Sequence, residues 1–318
     1  MMFRRGLASL LLHVGVLACA FQPRSVAATE SVEFVAEHLA EIAMDNRYAG
    51  LPLWATPNNP SASGWNLTAQ AAYARTQTGA LSIDGPMISF GATKHISEAW
   101  RLTAFAFLDE LSLSSGVDHR PLAVLFAAGV PLALPAAAEF TGLSGSARGI
   151  GAGVAIRHAG QFWFLHSFEW TAGVLWHRLD LRDYRFDFRI LEGENSGATG
   201  VVDYSTTYSF VAPFAGIAWP REYGNWNFTP HVQAVLPLPR RGVVGHIAGA
   251  GYDLRGDMSA TGGAAPFGDP SVTVGLDFTY RPWRLSIDVG SLVSQALIEP
   301  VIHEGISSNW LLSASISF

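Results

Sequence analysis

The sequence predicts an all-β protein, a closed antiparallel transmembrane β-barrel of about twelve strands preceded by a short N-terminal amphipathic helix. Four observations predict it. Apolar and polar residues alternate over stretches of about ten residues, the length a tilted strand needs to cross a bilayer. The chain is 49% hydrophobic but only 14% charged, with 32 Gly and 12% aromatic residues. Beyond its first residues it has no apolar run of the ~18 residues that a membrane helix requires. Several apolar faces carry Trp, Tyr or Phe at their ends, where aromatic girdles meet the two membrane interfaces.

Residues 1–28 form the first segment. Arg4 and Arg5 precede a mainly apolar stretch, Gly6 to Ala20, interrupted by Ser9 and His13 and too short to span a bilayer, which is the layout of a cleaved secretory signal. Val26-Ala27-Ala28 offers the preferred cleavage site and Ala18-Cys19-Ala20 a second. Val16-Leu17-Ala18-Cys19 also resembles a lipobox, in which Cys19 would be acylated; otherwise this single cysteine is discarded with the signal, leaving no thiol in an oxidising compartment.

Residues 29–63 differ from the rest. Val32, Phe34, Val35, Leu39 and Ile42 recur at helical spacing, with Glu33, Glu37, Glu41 and Asp45 on other faces, so about 30–45 reads as the amphipathic helix. It caps the barrel from outside or inserts into the lumen.

Residues 64–318 carry the strands. The candidates are 64–76, 85–95, 99–111, 121–130, 136–143, 148–158, 161–182, 200–219, 225–238, 270–281, 283–297 and 308–318. In 270–281, Val272, Val274, Leu276, Phe278 and Tyr280 alternate with Thr273, Gly275, Asp277, Thr279 and Arg281, and after Pro282 the pattern resumes with Trp283, Leu285, Ile287 and Val289. Pro131 and Pro135 weaken the fourth and fifth candidates. Short connections at 96–98, 158–160, 220–224 and around 282 fall on one side, and long ones at 112–120, 183–199, 239–269 and 298–307 on the other, as periplasmic turns and outer loops do. The segment 162–189 outruns one crossing and is expected to continue as a hairpin above the membrane, a candidate recognition surface.

Loss of Arg4, Arg5 and Arg24 with the signal moves the formal charge from −6 to −9, which argues against nucleic acid as a partner. Arg101, Asp109, Glu169, Asp277, Arg281, Arg284 and Asp288 fall on inward faces by alternation. Charges of both signs there form a network that fills the lumen or line a selective path.

The last residues repay a separate look. Trp310, Leu312, Ala314, Ile316 and Phe318 share one face, against Asn309, Ser313, Ser315 and Ser317, with Leu311 as the exception. A terminal aromatic preceded by alternate apolar residues resembles the signal by which the outer-membrane assembly machinery takes up barrel precursors. With the export signal, this implies a Gram-negative outer membrane, with that machinery, outer-membrane lipids and lipopolysaccharide as partners. A barrel behind a short helix is similar to the translocator domain of autotransporters, although no room for a large passenger lies between Thr29 and the first strand. The resemblance implies a solitary autotransporter-like barrel, acting as a scaffold with ligand-facing outer loops or as a narrow, porin-like channel.

The alternative is an outer-membrane lipid hydrolase or protease. His95-Ile96-Ser97 has the two-residue spacing that lets imidazole activate a hydroxyl, but it falls at a turn and lacks an oxyanion motif. Asp118-His119 lies in an outer loop, where adjacent side chains point apart. Gly149, Gly151 and Gly153 read as a stripe making room on a strand. The ten histidines show no metal-ligand spacing, so no catalytic residue, cofactor or metal is assigned.

Overall fold

The computed structural model describes Leu51, Leu53 and, from Gly64 to Phe318, all residues except 79–80, 116–117, 128–129, 163–164, 192–195, 237–240, 250–251, 262–270 and 293–305. The expected signal segment, Cys19 and the helix expected over 30–45 lie outside the described residues. Side chains of Asp118 and His119 also lie outside them.

The described chain is built of strands. Three meandering neighbours open it: β1 (Trp65–Thr78), β2 (Leu81–His95) and β3 (Trp100–Ser115). Next come β4 (Asp118–Ala127), β5 (Val130–Phe162), β6 (Leu165–Ile190) and β7 (Thr199–Ala218). The short β8 (Arg221–Tyr223) and β9 (Trp226–Val235) follow, then β10 (Arg241–Gly249) and β11 (Tyr252–Thr261). Last are β12 (Ser271–Tyr280), a 3-10 turn at Arg281–Trp283, β13 (Leu285–Leu292) and β14 (Ile306–Ser317).

Every pairing is antiparallel, and ten strands close on themselves in the order β1, β2, β3, β5, β6, β7, β9, β12, β13, β14. The seam is the β1–β14 ladder, in which Ala71 faces Ala314 and Tyr73 faces Leu312. On the opposite side Phe214 to Ala218 of β7 pair with Val235 to His231 of β9. Closure is what a lipid environment demands, because an unpaired backbone group there costs several kcal/mol.

Ten strands replace the expected twelve for two physical reasons. The fourth candidate, β4, pairs only with the upper part of β5 and does not enter the ring. The fifth and sixth are one strand: β5 passes Phe140, Gly142, Ser144 and Ser146 through register shifts instead of turning back. The segment 239–269, expected as a loop, contains the β10–β11 hairpin.

The turns at Ile96–Ala99, Trp219–Pro220 and Arg281–Arg284 lie at one end of the barrel, with Phe318; this is the short-turn end. At the other end β5, β6 and β7 do not stop. At roughly 3.3 Å per residue the 33 residues of β5 run far past a membrane crossing. Beyond the ring they carry β4 on one side and β10–β11 on the other, making a sheet with β4 and β11 at its edges among the described residues. The hairpin expected above the membrane is thus the middle of a wider sheet.

Side-chain placement is inverted relative to a water-soluble protein. Leu67, Phe90, Leu108, Val154, Val174, Ile217, Val232, Val289 and Leu312 face outward and are exposed, whereas Thr68, Gln70, Ser89, Thr103, Thr171, Gln233, Thr273, Ser286 and Ser313 face inward and are buried. Such a surface is stable only against hydrocarbon. Two aromatic belts bound it: Trp65, Trp100, Trp226, Trp283 and Phe318 ring the short-turn end, and Tyr73, Trp176 and Trp310 the other.

The interior is not polar throughout. Phe105 and Phe107 of β3, Leu175 and Leu179 of β6, and Phe210 and Phe214 of β7 point inward and are buried. Room for them comes from Gly149, Gly151 and Gly153 of β5. A Cβ on Gly151 would strike the Phe107 ring, one on Gly153 the Phe105 ring, and one on Gly149 the carboxylate of Asp109. The glycine stripe makes room, as its alternation predicts.

Candidate functional site

The charged side chains inside the barrel are the candidate site, and alternation places each of them. In β3 the inward phase runs Arg101, Thr103, Phe105, Phe107, Asp109; in β6 it runs Glu169, Thr171, Gly173, Leu175, His177. Because strands β3, β5 and β6 are neighbours, Arg101 and Arg157 are cross-strand partners and Glu169 stands two positions along from Arg157's own partner, Thr171.

The three form one ion-pair cluster near the short-turn end. Arg101 Nη1 donates to Glu169 Oε1 at 3.2 Å, and Arg157 Nε donates to Oε2 at 2.7 Å. Arg157 Nη2 also reaches Oε2, so a single carboxylate is clamped by two guanidiniums, all three side chains almost wholly buried. The remaining donor is used differently: Arg157 Nη1 donates to the backbone carbonyl of Leu53, 2.6 Å away. Leu53 and Leu51 are themselves buried. A piece of the chain that precedes β1 is therefore held against the inner wall by a charge-assisted hydrogen bond, a kind worth roughly twice a neutral one.

Two carboxylate–imidazole pairs lie elsewhere on the wall. Asp109 Oδ2 is 3.8 Å from His177 Nε2, beneath the edge-on ring of Phe107 and over Gly149. Neither Asp109 oxygen has a hydrogen-bond partner among the described residues, so that imidazole is its nearest compensation. Asp288 Oδ2 is likewise 3.8 Å from His231 Nε2, and His231 Nδ1 donates to the Thr229 carbonyl at 3.3 Å. Asp288 is directly opposite Asp277 in the β12–β13 register. Thr279 Oγ1 donates to Asp277 at 2.6 Å and lies 2.8 Å from Ser286 Oγ. Like charges directly opposite each other repel, and hydroxyls with a nearby imidazole are what this wall offers against that.

Five of the seven expected lumen residues, Arg101, Asp109, Glu169, Asp277 and Asp288, are on the inner wall and buried. Arg281 and Arg284 are not. The 3-10 turn interrupts the two-residue period: Arg281 lies at the rim, donating to Glu222 at 3.1 Å and to the Gly224 carbonyl, and Arg284 is exposed in the left-handed region at φ 51°. Arg157, His177 and His231 were missed. Each shares the inward phase of a strand already identified, Arg157 that of Gly149 to Gly153, and extending that phase would have found them.

The sequence motifs separate. His95 Nε2 lies 3.0 Å from the Asn66 amide nitrogen, while Ser97 Oγ accepts from the Trp100 backbone N–H at 3.1 Å in an exposed turn. Among the described residues no three His, Cys, Asp or Glu side chains are arranged to hold a metal. Trp310, Leu312, Ala314, Ile316 and Phe318 all stand on the outer face, and Leu311 packs inside.

No protein-family model and no curated protein matches the chain. Solved structures with which it aligns are membrane barrels. The translocator domain of the autotransporter NalP from Neisseria meningitidis aligns at a TM-score of 0.42 and 12% identity, over 91% of this chain and 98% of that one. The outer membrane protease OmpT from Escherichia coli aligns at 0.37 and 10%, over 79% and 93%. A TodX monoaromatic hydrocarbon channel mutant aligns at 0.29 and 10%, over 81% and 92%. At such values the fold rests on the chain's own closed ladder.

Proposed function

We propose that this is a Gram-negative outer-membrane barrel, exported by its signal segment and inserted by the assembly machinery among outer-membrane lipids and lipopolysaccharide. In this reading the short-turn end faces the periplasm, and the protein acts as a solitary autotransporter-like scaffold whose outward sheet meets external ligands. It is not an open pore and not an enzyme.

One observation carries the scaffold reading: the Arg157–Leu53 hydrogen bond within a wall whose inward side chains are almost without contact with water. A wide aqueous pore would leave Thr68, Gln70, Ser313 and Ser315 wetted. A narrow channel is the second reading, supported by that same hydroxyl- and amide-rich wall of β1 and β14. The engagement of Ser97 by Trp100 supports leaving it without a nucleophilic role; a lipase assay of Ser97→Ala against the parent checks this, and a difference would reinstate the hydrolase.

Planar-bilayer recording on the refolded protein separates the two main readings. The scaffold shows no steady single-channel current, and Arg157→Ala, which releases Leu53, introduces one. A steady, ohmic current from the unaltered protein overturns the scaffold in favour of the channel.

A further inference from the structure

Toward the long-strand end, the outward face of β5 and β6 changes from apolar to cationic within one step. In β6 that face runs Val174, Trp176, Arg178, Asp180, Arg182, and in β5 it runs Val154, Ala152, Ile150, Arg148, Ser146 toward the same end. Val174, Trp176, Val154 and Ile150 are exposed on the lipid side, so the arginines that follow them stand at headgroup level. Arg148 is opposite Asp180, Ile150 opposite Arg178 and Ser146 opposite Arg182, which makes Arg148 the diagonal neighbour of both β6 arginines. Four residues of strand separate Arg178 from Arg182, about 13 Å. All three arginines are exposed. The carboxylates that face them are Asp180, whose Oδ1 accepts from Arg178 Nε at 3.1 Å and from Thr207 Oγ1 at 2.8 Å, and Glu110, opposite Arg148 on β3. The side chains of Arg148 and Arg182 make no ion pair or hydrogen bond among the described residues. Arg182 also stands at a bulge: the stretch Leu181 to Tyr184 has one residue more than β7 opposite it, and Asp183 takes up the excess at φ 52°. Bulges re-aim the side chains they carry.

Guanidinium forks with open donors, set just past a tryptophan and a lipid-facing isoleucine, match a ligand whose acyl chains lie in the membrane and whose headgroup carries phosphates. We propose that this face of β5 and β6 is a binding site for a phosphorylated outer-leaflet glycolipid, the lipid A part of lipopolysaccharide. Arg148 and Arg182 take its phosphates, Arg178 adds a third positive charge, and the acyl chains lie along Ile150, Val154 and Val174. This rests on the reading that the long-strand end faces out of the cell. The competing use of these residues is plain solvation, since arginines beyond the hydrocarbon keep the sheet in water without any ligand. The two uses differ in what they select. A built site separates lipid A with its phosphates from the same lipid without them, and depends on these arginines more than on an exposed arginine elsewhere, such as Arg284.

The test uses the full chain folded in detergent, with bisphosphorylated lipid A and its dephosphorylated form as probes and native mass spectrometry to count bound glycolipid. The bisphosphorylated form is expected to bind at concentrations where the dephosphorylated one does not. Arg148→Ala and Arg182→Ala are each expected to weaken that binding about tenfold, the double variant further, and Arg284→Asn at the other end not at all. Arg182→Lys, which keeps the charge but lacks the fork, falls between Arg182→Ala and the unaltered protein. Equal binding of the two lipids, or a double variant that binds like the unaltered protein, overturns the proposal. An epitope inserted after Gly197, in the exposed turn between β6 and β7, reports placement separately. If antibody reaches it on intact cells and the lipid result is negative, the glycolipid site is wrong and the orientation stands; if the epitope is reached only in lysed cells, both fall. Heat-modifiable migration of each variant certifies that the barrel has folded.

Discussion

At the scale of single residues, the interior works by complementary volumes and shared charge. Gly151→Val places a side chain where the Phe107 ring lies, and the overpacking is expected to destabilise the barrel by about 1–3 kcal/mol. Urea unfolding followed by tryptophan fluorescence measures it, and Phe107→Ala added to Gly151→Val should recover part of the loss if the two side chains compete for one space. Glu169 is a different case, because its removal takes the shared carboxylate away from two buried guanidiniums. Glu169→Ala is expected to cost about 3–5 kcal/mol, the range for breaking one partner out of a buried pair, and more than Arg101→Ala, which leaves the carboxylate held by Arg157. A smaller effect for Glu169→Ala than for Arg101→Ala would mean that Arg101, not Glu169, is the hub. The inward charges were legible in the sequence wherever the strand stayed regular: Asp277 and Asp288 needed only a period of two. Arg281 and Arg284 were misread because Pro282 seeds a 3-10 turn with a left-handed residue after it, and neither feature has an alternation to betray it.

At the scale of elements, the two faces of each strand obey different solvents. Val154→Arg introduces a cation on the lipid face of β5 and is expected to destabilise the protein in phospholipid vesicles by about 2–4 kcal/mol, whereas the inward Thr103→Ser, two β3 residues from Arg101, should cost well under 1.5 kcal/mol. Equal losses would mean that the faces have been assigned the wrong way round. The bulge in β6 makes a second expectation. Deleting Asp183 removes the extra residue, so β6 falls into regular register with both neighbours and everything beyond it keeps its partners and its facing. Single cysteines at Arg185 and Arg189, labelled with a water-soluble maleimide, should keep their reactivity in the deletion variant as in Asp183→Gly, and a change in the deletion variant alone would mean that the ladders with β5 and β7 do not set the facing there. The membrane crossings could be read because hydrocarbon on one side and a filled lumen on the other enforce strict alternation. The β10–β11 hairpin could not, since outside the membrane both faces can meet water and Val243-Val244-Gly245-His246 shows no such period.

For the molecule as a whole, closure determines stability, because no edge is left inside the membrane and the last strand must reach the first. Truncating the final strand at Leu311 removes most of the Ala71–Ala314 ladder and all of the outward residues from Leu312 to Phe318. The expected outcome is a barrel that fails to form, seen as loss of heat-modifiable migration and of β-type circular dichroism. The number of crossings was the least legible global property, for a physical reason: β5 carries prolines and small residues where a turn would be expected, yet continues. That continuity has a mechanical consequence. The strands that stand outside the membrane are the same polypeptide segments that cross it, and β5 runs through its register shifts as one strand from Val130 to Phe162. A tug on the exposed part along the strand direction therefore loads the β5–β6 ladder in shear, with many bonds sharing the force, and does not peel them one by one. Whatever grips this protein from outside would be pulling on an anchor rather than on a tether.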